Sequence, residues 1–179
     1  MVSTTLFSGL IGLTAIERLL EVRLSNRHAA WSLKQGGQEH GRGHYPFMVV
    51  LHTGFLLACL AEVWLLNRIF TPSLGYSMLA LAVLCQAGRW WCIHSLGEHW
   101  NTRVIIVPGL PPVRRGPYRW IQHPNYVIVA LEGIALPLVH GAILTASIFT
   151  LLNAILMVIR IRCEDQALAS LPTPRTEHQ

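Results

Sequence analysis

Apolar residues gather along this chain in long blocks instead of alternating with polar ones. The blocks cover residues 3–20, 45–66, 74–93 and 127–159. A helix needs about 20 mostly apolar residues to cross roughly 30 Å of hydrocarbon, and the first three blocks come close to that length. The fourth, 33 residues long, would make a helix of about 50 Å, well beyond a bilayer. Pro137, His140 and Gly141 interrupt it near its middle. It is therefore expected to fold back as a hairpin of two helices, 126–140 and 142–161, in preference to one kinked and tilted helix. The pattern predicts an all-α integral membrane protein with five transmembrane helices, the last two forming a helical hairpin.

Two polar segments separate the blocks. The first, Arg23 to His44, reads RLSNRHAAWSLKQGGQEHGRGH, with Gly36, Gly37, Gly41 and Gly43 expected to break any long helix. The second is a thirty-residue loop, 94–123, rich in Pro and Gly. A loop of that length is functional or disordered. Trp100, Tyr118, Trp120 and the VIIV run at 104–107 are residues a solvated linker avoids, so an ordered, functional loop is expected. Residues 1–171 then form a single membrane domain, and 172–179 a flexible tail.

Charge orients these spans. Short cytoplasmic loops collect Lys and Arg. With the N-terminus outside, thirteen of the fourteen basic residues fall on one face and Arg68 alone on the other. The hairpin is required for this, because a single last helix would carry Arg160, Arg162 and Arg175 outside. The C-terminus and both polar segments are thus expected on the cytoplasmic side. A composition 52% hydrophobic and 13% charged agrees with a membrane class. The net charge of +5 follows from the loop bias, so no nucleic-acid partner is implied. The first block lacks a basic leader and a small-residue cleavage site and reads as a retained anchor. Cys59, Cys85, Cys92 and Cys163 form no CxxC pair, which gives neither a disulfide framework nor a zinc site. No internal repeat supports an inverted-repeat transporter.

Several side chains are candidates for chemistry. Arg160 and Glu164 lie four apart on the last helix, one face with side chains in reach of each other. They read either as a membrane stop with a first polar turn, or as a cation and a carboxylate orienting a polar head whose tail stays in lipid. Glu132 sits six residues into an apolar block. A carboxylate there costs about 2.5–3.5 kcal/mol on insertion scales, so it is expected to face a cavity or a partner. Glu17 and Glu62 lie nearer helix ends, and His52 reads as packed between helices. His40, His44, His94 and His99 have no spacing that converges three ligands, so no metal is expected. In RRGPYRWIQHPNY, Arg114 to Tyr126, Gly116-Pro117 suits a tight turn. HPNY puts a proline in the first turn of a helix, whose free N–H groups bind anions. An interfacial aromatic belt is the plainer reading of the same stretch. A hairpin would bring this loop, Glu132 and the Arg160/Glu164 pair together.

GPYRWIQHPNY, followed after the hairpin by RIRCEDQAL, resembles the isoprenylcysteine carboxyl methyltransferase family of integral membrane enzymes. Its pattern is G-x-Y-x-x-x-R-H-P-x-Y, then R and E-E-x-x-L on the last helix. The resemblance reaches upstream through QAGRWWCIHSLGEHWNTRVIIVPG, about residues 86–168. The N-terminal half, with GHYP, is similar to a bacterial branch, which implies a bacterial inner membrane. The resemblance implies S-adenosyl-L-methionine as methyl donor, held between the cytoplasmic loop and the final hairpin. Leu110, Pro111, Pro112, Val113 and Tyr118 would line it, and His123, Pro124, Asn125 and Tyr126 would close around it. Arg160 and Glu164 match the family's catalytic pair, with Gln122, Glu132 and Arg162 as candidates on the acceptor side. Gln122 stands where the family has Arg, Asp165 is the second acid, and the family's aromatic and charged tail is missing. Each difference weakens a prenylated cysteine as acceptor.

Methyl transfer from a sulfonium to an often anionic oxygen disperses charge, so alignment supplies most of the rate, about 7–11 kcal/mol. An arginine can fork an oxygen. Glu164 would orient that arginine or take a phenol's proton. A lipophilic or lipidated acceptor would enter sideways from the bilayer. The expected function is O-methylation of a carboxylate, phenol or enol on a lipid-like molecule. Alternatives are an NADPH-dependent sterol-type reductase, which shares an H-P-N-Y segment, a phospholipid N-methyltransferase, and a non-enzymatic membrane subunit.

Overall fold

The computed structural model describes residues 2–110 and 113–169. The tail 172–179, with Arg175, lies outside the described residues. Five helices carry the chain: α1 (Val2–Lys34), α2 (Tyr45–Leu65), α3 (Pro72–Leu96), α4 (Pro124–Leu138) and α5 (Ile143–Ala169). Proline in the first turn starts α2, α3 and α4, where its fixed φ suits a helix and its missing N–H is not needed. α2 and α5 are long and apolar enough to cross a membrane.

The fourth apolar block is a hairpin. α4 ends at Leu138, Gly141 turns the chain at φ +69°, and α5 starts at Ile143. Glu62 of α2 fixes the second arm. Its carboxylate accepts from Leu144 N at 3.1 Å, from Thr145 N at 2.7 Å and from Thr145 Oγ1 at 2.7 Å. It thereby caps the donor groups that a helix N-terminus leaves unpaired, and Arg68 pairs with it at 2.7 Å.

α1 runs farther than its apolar block. The glycines expected to break residues 23–44 act only from Gly36, at φ +81°, and the helix continues to Lys34. Glu21, Ser25, Ala29 and Ser32 form a buried face on this extension, spaced to fall on one side of a helix. Beyond it, β1 (Gln38–His40) pairs antiparallel with β2 (Val104–Ile106), His40 opposite Val104. This two-stranded ribbon, absent from the all-helical expectation, ties the two polar segments together.

Around a buried apolar core that includes Phe7, Ile11, Phe55 and Leu136, many apolar side chains face out and several ionisable ones face in. Leu6 is 71% exposed and Leu65 77%, whereas Glu21 is 1% exposed and Arg89 9%. The inner charges are paired across three helices. Arg89 of α3 grips Glu21 of α1 through Nε and Nη2. Arg18 donates to both Glu21 oxygens, at 2.8 and 2.7 Å, and to Glu132 of α4. Gln86 adds a bond to Glu132 at 3.2 Å. Glu132 therefore has partners, as expected of a carboxylate in an apolar block.

Glu132→Ala leaves two arginines sharing one carboxylate and is expected to cost about 3–5 kcal/mol, as for other broken buried pairs. The double variant Arg18→Met/Glu132→Leu removes cation and anion together and should recover most of that loss. Thermal unfolding in detergent micelles checks this. A double variant no more stable than Glu132→Ala would contradict the pairing.

Candidate active site

The segment between α3 and α4 folds back over the start of α4 and the C-terminal half of α5. Its return begins where Gly116 meets the end of α3. A Cβ on Gly116 would sit 2.0 Å from Ser95 Oγ, and its φ is +57°, so only glycine fits. Arg115 Nε donates to Ser95 O at 2.6 Å and pins the same turn. Pro117 is buried beneath it.

Under this lid lies a cavity of about 740 Å³. Leu110, Val113, Tyr118 and Gln122 border it from the loop. His123, Asn125 and Tyr126 border it from the start of α4, and Arg160 and Glu164 from α5. Its volume lies in the range of small-molecule sites, roughly 300–1,000 Å³.

Arg160 is held from three sides. Its Nε donates to Tyr126 Oη at 2.8 Å, and its Nη1 to Thr102 O at 2.6 Å and to Met48 Sδ at 3.2 Å. Nη2 has no partner among the described residues. Arg160 and Glu164 form no ion pair within 4.0 Å, although they share a helix face. The Tyr126 hydroxyl stands between them, accepting from Arg160 and donating to Glu164 Oε2 at 2.5 Å. The direct Arg160–Glu164 contact expected from their spacing is thus replaced by a phenol bridge.

His123 stacks on Tyr126, ring centres 5.2 Å apart at 21°. Its ring nitrogens lie 3.9 Å from Glu164 and 3.4 Å from Asp165. Gln122 reaches the same Asp165 at 3.4 Å, so two positions that depart from the family pattern face each other at the cavity edge. Burial, with the Cys92 thiol beside it, pushes the Tyr118 phenol above its ordinary range and keeps it a neutral hydroxyl. Burial and the positive charge of Arg160 hold the His44 imidazole below its ordinary value.

Three residues that line this space each carry a buried polar atom without a hydrogen-bond partner among the described residues: Arg103 Nε, His123 Nε2 and Asn125 Oδ1. Buried polar groups are nearly always paired.

Other expected residues stand elsewhere. Pro124 is buried in the first turn of α4, where it starts the helix. Glu132 belongs to the charge cluster with Arg18 and Arg89 and borders a separate cavity of about 30 Å³. It does not converge with Arg160 because it lies two turns farther along α4, on the side facing α1 and α3. Arg162 is exposed and does not line the cavity, since two residues along a helix turn it away from Arg160. Pro111 and Pro112 lie outside the described residues. Met48, Thr102 and Arg103 are not among the site residues expected from the sequence. Each is a common residue type in an ordinary context, and only the folded chain brings them to Arg160 or to the cavity.

Comparison with known proteins places the chain in a family. The family model for isoprenylcysteine carboxyl methyltransferase (ICMT) matches residues 78–170, just over half of the chain. The chain is 39% identical over 160 residues to "Uncharacterized protein YpbQ" of Bacillus subtilis, covering 89% of this chain and 94% of that protein. It is 26% identical over 157 residues to an "Uncharacterized protein" of Haemophilus influenzae, covering 86% of this chain and 90% of that one. The matched region holds the lid, the Tyr126 bridge and both arms of the hairpin. The chain belongs to the isoprenylcysteine carboxyl methyltransferase family and is, at the level of that family, a membrane methyltransferase.

Proposed function

We propose that this protein is an S-adenosylmethionine-dependent O-methyltransferase whose acceptor is a lipid-like molecule with a carboxylate, phenol or enol. The observation that carries the proposal is the arrangement Arg160–Tyr126–Glu164 at the border of the cavity, with Nη2 of the arginine unpaired among the described residues. Five membrane crossings, the N-terminus outside and the cavity on the cytoplasmic side complete the reading, supported by the grouping of thirteen basic residues on one face.

The residues present suit the donor. S-adenosylmethionine offers an amino-purine, ribose hydroxyls, an ammonium and a carboxylate. Asn125 Oδ1 supplies an acceptor, Arg103 Nε a donor, and His123 Nε2 either, according to tautomer. Leu110 and Val113 supply apolar wall. When bound, the donor provides a methyl carbon on a sulfonium whose sulfur keeps the electron pair as the methyl passes to the acceptor oxygen.

The protein's own part is placement and charge. Arg160 is fixed by Tyr126 and Thr102, so its Nη2 presents a preset hydrogen bond to an acceptor oxygen. A carboxylate acceptor has no proton to lose. A phenol or enol gives its proton to Glu164 as the oxygen–methyl bond forms, and Tyr126, donating to Oε2, keeps that carboxylate apart from the arginine. An acceptor with an apolar tail leaves the tail in the bilayer and brings only its head to this edge.

Glu164→Gln separates the two classes of acceptor. Methyl transfer from labelled S-adenosylmethionine is measured for dodecanoic acid, para-dodecylphenol and an alkylated cyclic diketone that exists as its enol. Transfer to the phenol or the enol is expected to fall by roughly 10²–10⁴-fold, the usual worth of a general base, while transfer to the acid falls far less. An equal loss for all three would remove the proton-acceptor role from Glu164. Wild-type protein that methylates none of them and binds no donor would sink the reading.

A further inference from the structure

We propose that Ser25, on the cytoplasmic extension of α1, acts with Thr102 as a positioning clamp for Arg160. α1 is thereby a working part of the site, although the family match begins at residue 78. The inference rests on the methyl-transfer reading and concerns how its arginine is held.

Ser25 is 1% exposed, and its hydroxyl is fully used. It accepts the Thr102 backbone N–H at 3.0 Å and exchanges a bond with Thr102 Oγ1 at 2.8 Å. With the Asn101 amide turned to satisfy both of its ends, that side chain donates to Ser25 Oγ at 2.9 Å and accepts from Ala29 N at 3.1 Å. A hydroxyl has two acceptor sites and one donor, so two accepted bonds and one donated leave it no freedom. The Asn101–Thr102 dipeptide is thus fastened to α1 at both residues.

Thr102 bears on the site through its carbonyl, which receives Arg160 Nη1 at 2.6 Å. Tyr45 Oη, at the start of α2, lies 3.4 Å from Thr102 Oγ1 as a further brace. The remaining holds on the guanidinium are a phenol on α4 and a weakly accepting thioether on α2. The carbonyl is the shortest of the three, and its place is set by Ser25. Neither Ser25 nor the Thr102 side chain lines the cavity. Their effect on an acceptor oxygen passes through the angle and depth of Arg160, and small displacements of an aligning group cost large factors in rate.

The full chain in detergent micelles is compared as wild type, Ser25→Ala, Thr102→Val, Thr102→Ser and the Ser25→Ala/Thr102→Val double. Dissociation constants for S-adenosylmethionine come from calorimetry, and rates come from methyl transfer to the same acid, phenol and enol probes. Ser25→Ala and Thr102→Val are expected to bind the donor within about twofold of wild type and to transfer roughly ten- to hundredfold more slowly. Thr102→Ser, which keeps the hydroxyl, should stay near wild type. The double should be slower than wild type by less than the product of the two single effects, because the two variants share the Ser25–Thr102 hydroxyl contact. Transfer at the wild-type rate in Ser25→Ala overturns the clamp and leaves the methyl-transfer reading intact. Donor affinity lost in proportion to rate shows a merely structural role and also overturns it. If Ser25→Ala does not fold, Thr102→Val against Thr102→Ser decides by the same criteria. A wild-type protein that neither binds the donor nor transfers a methyl group brings down the reading and the clamp together.

Discussion

Arg160 is a cation at the end of an apolar helix, and such a group is tolerated only where its donors are matched. Its matches come from Met48 of α2, Thr102 of the α3–α4 lid and Tyr126 of α4. Each has to be in place before the guanidinium is satisfied. The lid is drawn over the last helix, the start of α4 faces α5, and the extension of α1 is fastened to the lid. One nitrogen of the guanidinium, Nη2, has no partner among the described residues, and Arg160 borders the cavity. That nitrogen gives the fold a chemical direction.

The same constraint operates deeper in the helices. Charge inside a low-dielectric body persists only when paired, and four ionised groups on α1, α3 and α4 pair with one another. Glu62 follows a related rule at the opposite end, where it answers the unpaired N–H groups of α5. These contacts tie the helices together at fixed points, where apolar packing alone would let them slide. Side chains such as Leu6 and Leu65, turned outward, meet a surrounding that has no need of polar groups.

Much of this was legible in the sequence. Apolar blocks gave the helices, and the excess length of the last block with Pro137 and Gly141 inside it gave the hairpin. HPNY gave the start of α4, and the match of motifs gave Tyr126, Arg160 and Glu164 as one site. What sequence could not give was set by contacts across the chain. The extension of α1 to Lys34 rests on a buried face, Glu21 to Ser32, that has meaning only against α3 and the lid. The ribbon of β1 and β2 is three residues to a strand, too short for a periodic signal. Glu132 was read toward Arg160 because both were polar in apolar company, and its true partners are arginines on two other helices. The Tyr126 bridge escaped because helical spacing reports which residues share a face and not what lies between them.

Calorimetry on the full chain in detergent micelles tests the central claim most directly: that the lid and the last hairpin enclose a methyl-donor site. Saturable binding of S-adenosylmethionine is predicted, weakened about tenfold by Asn125→Ala, the effect of one lost hydrogen bond, with no binding of NADPH. Tight binding of NADPH with none of the methyl donor would contradict the account.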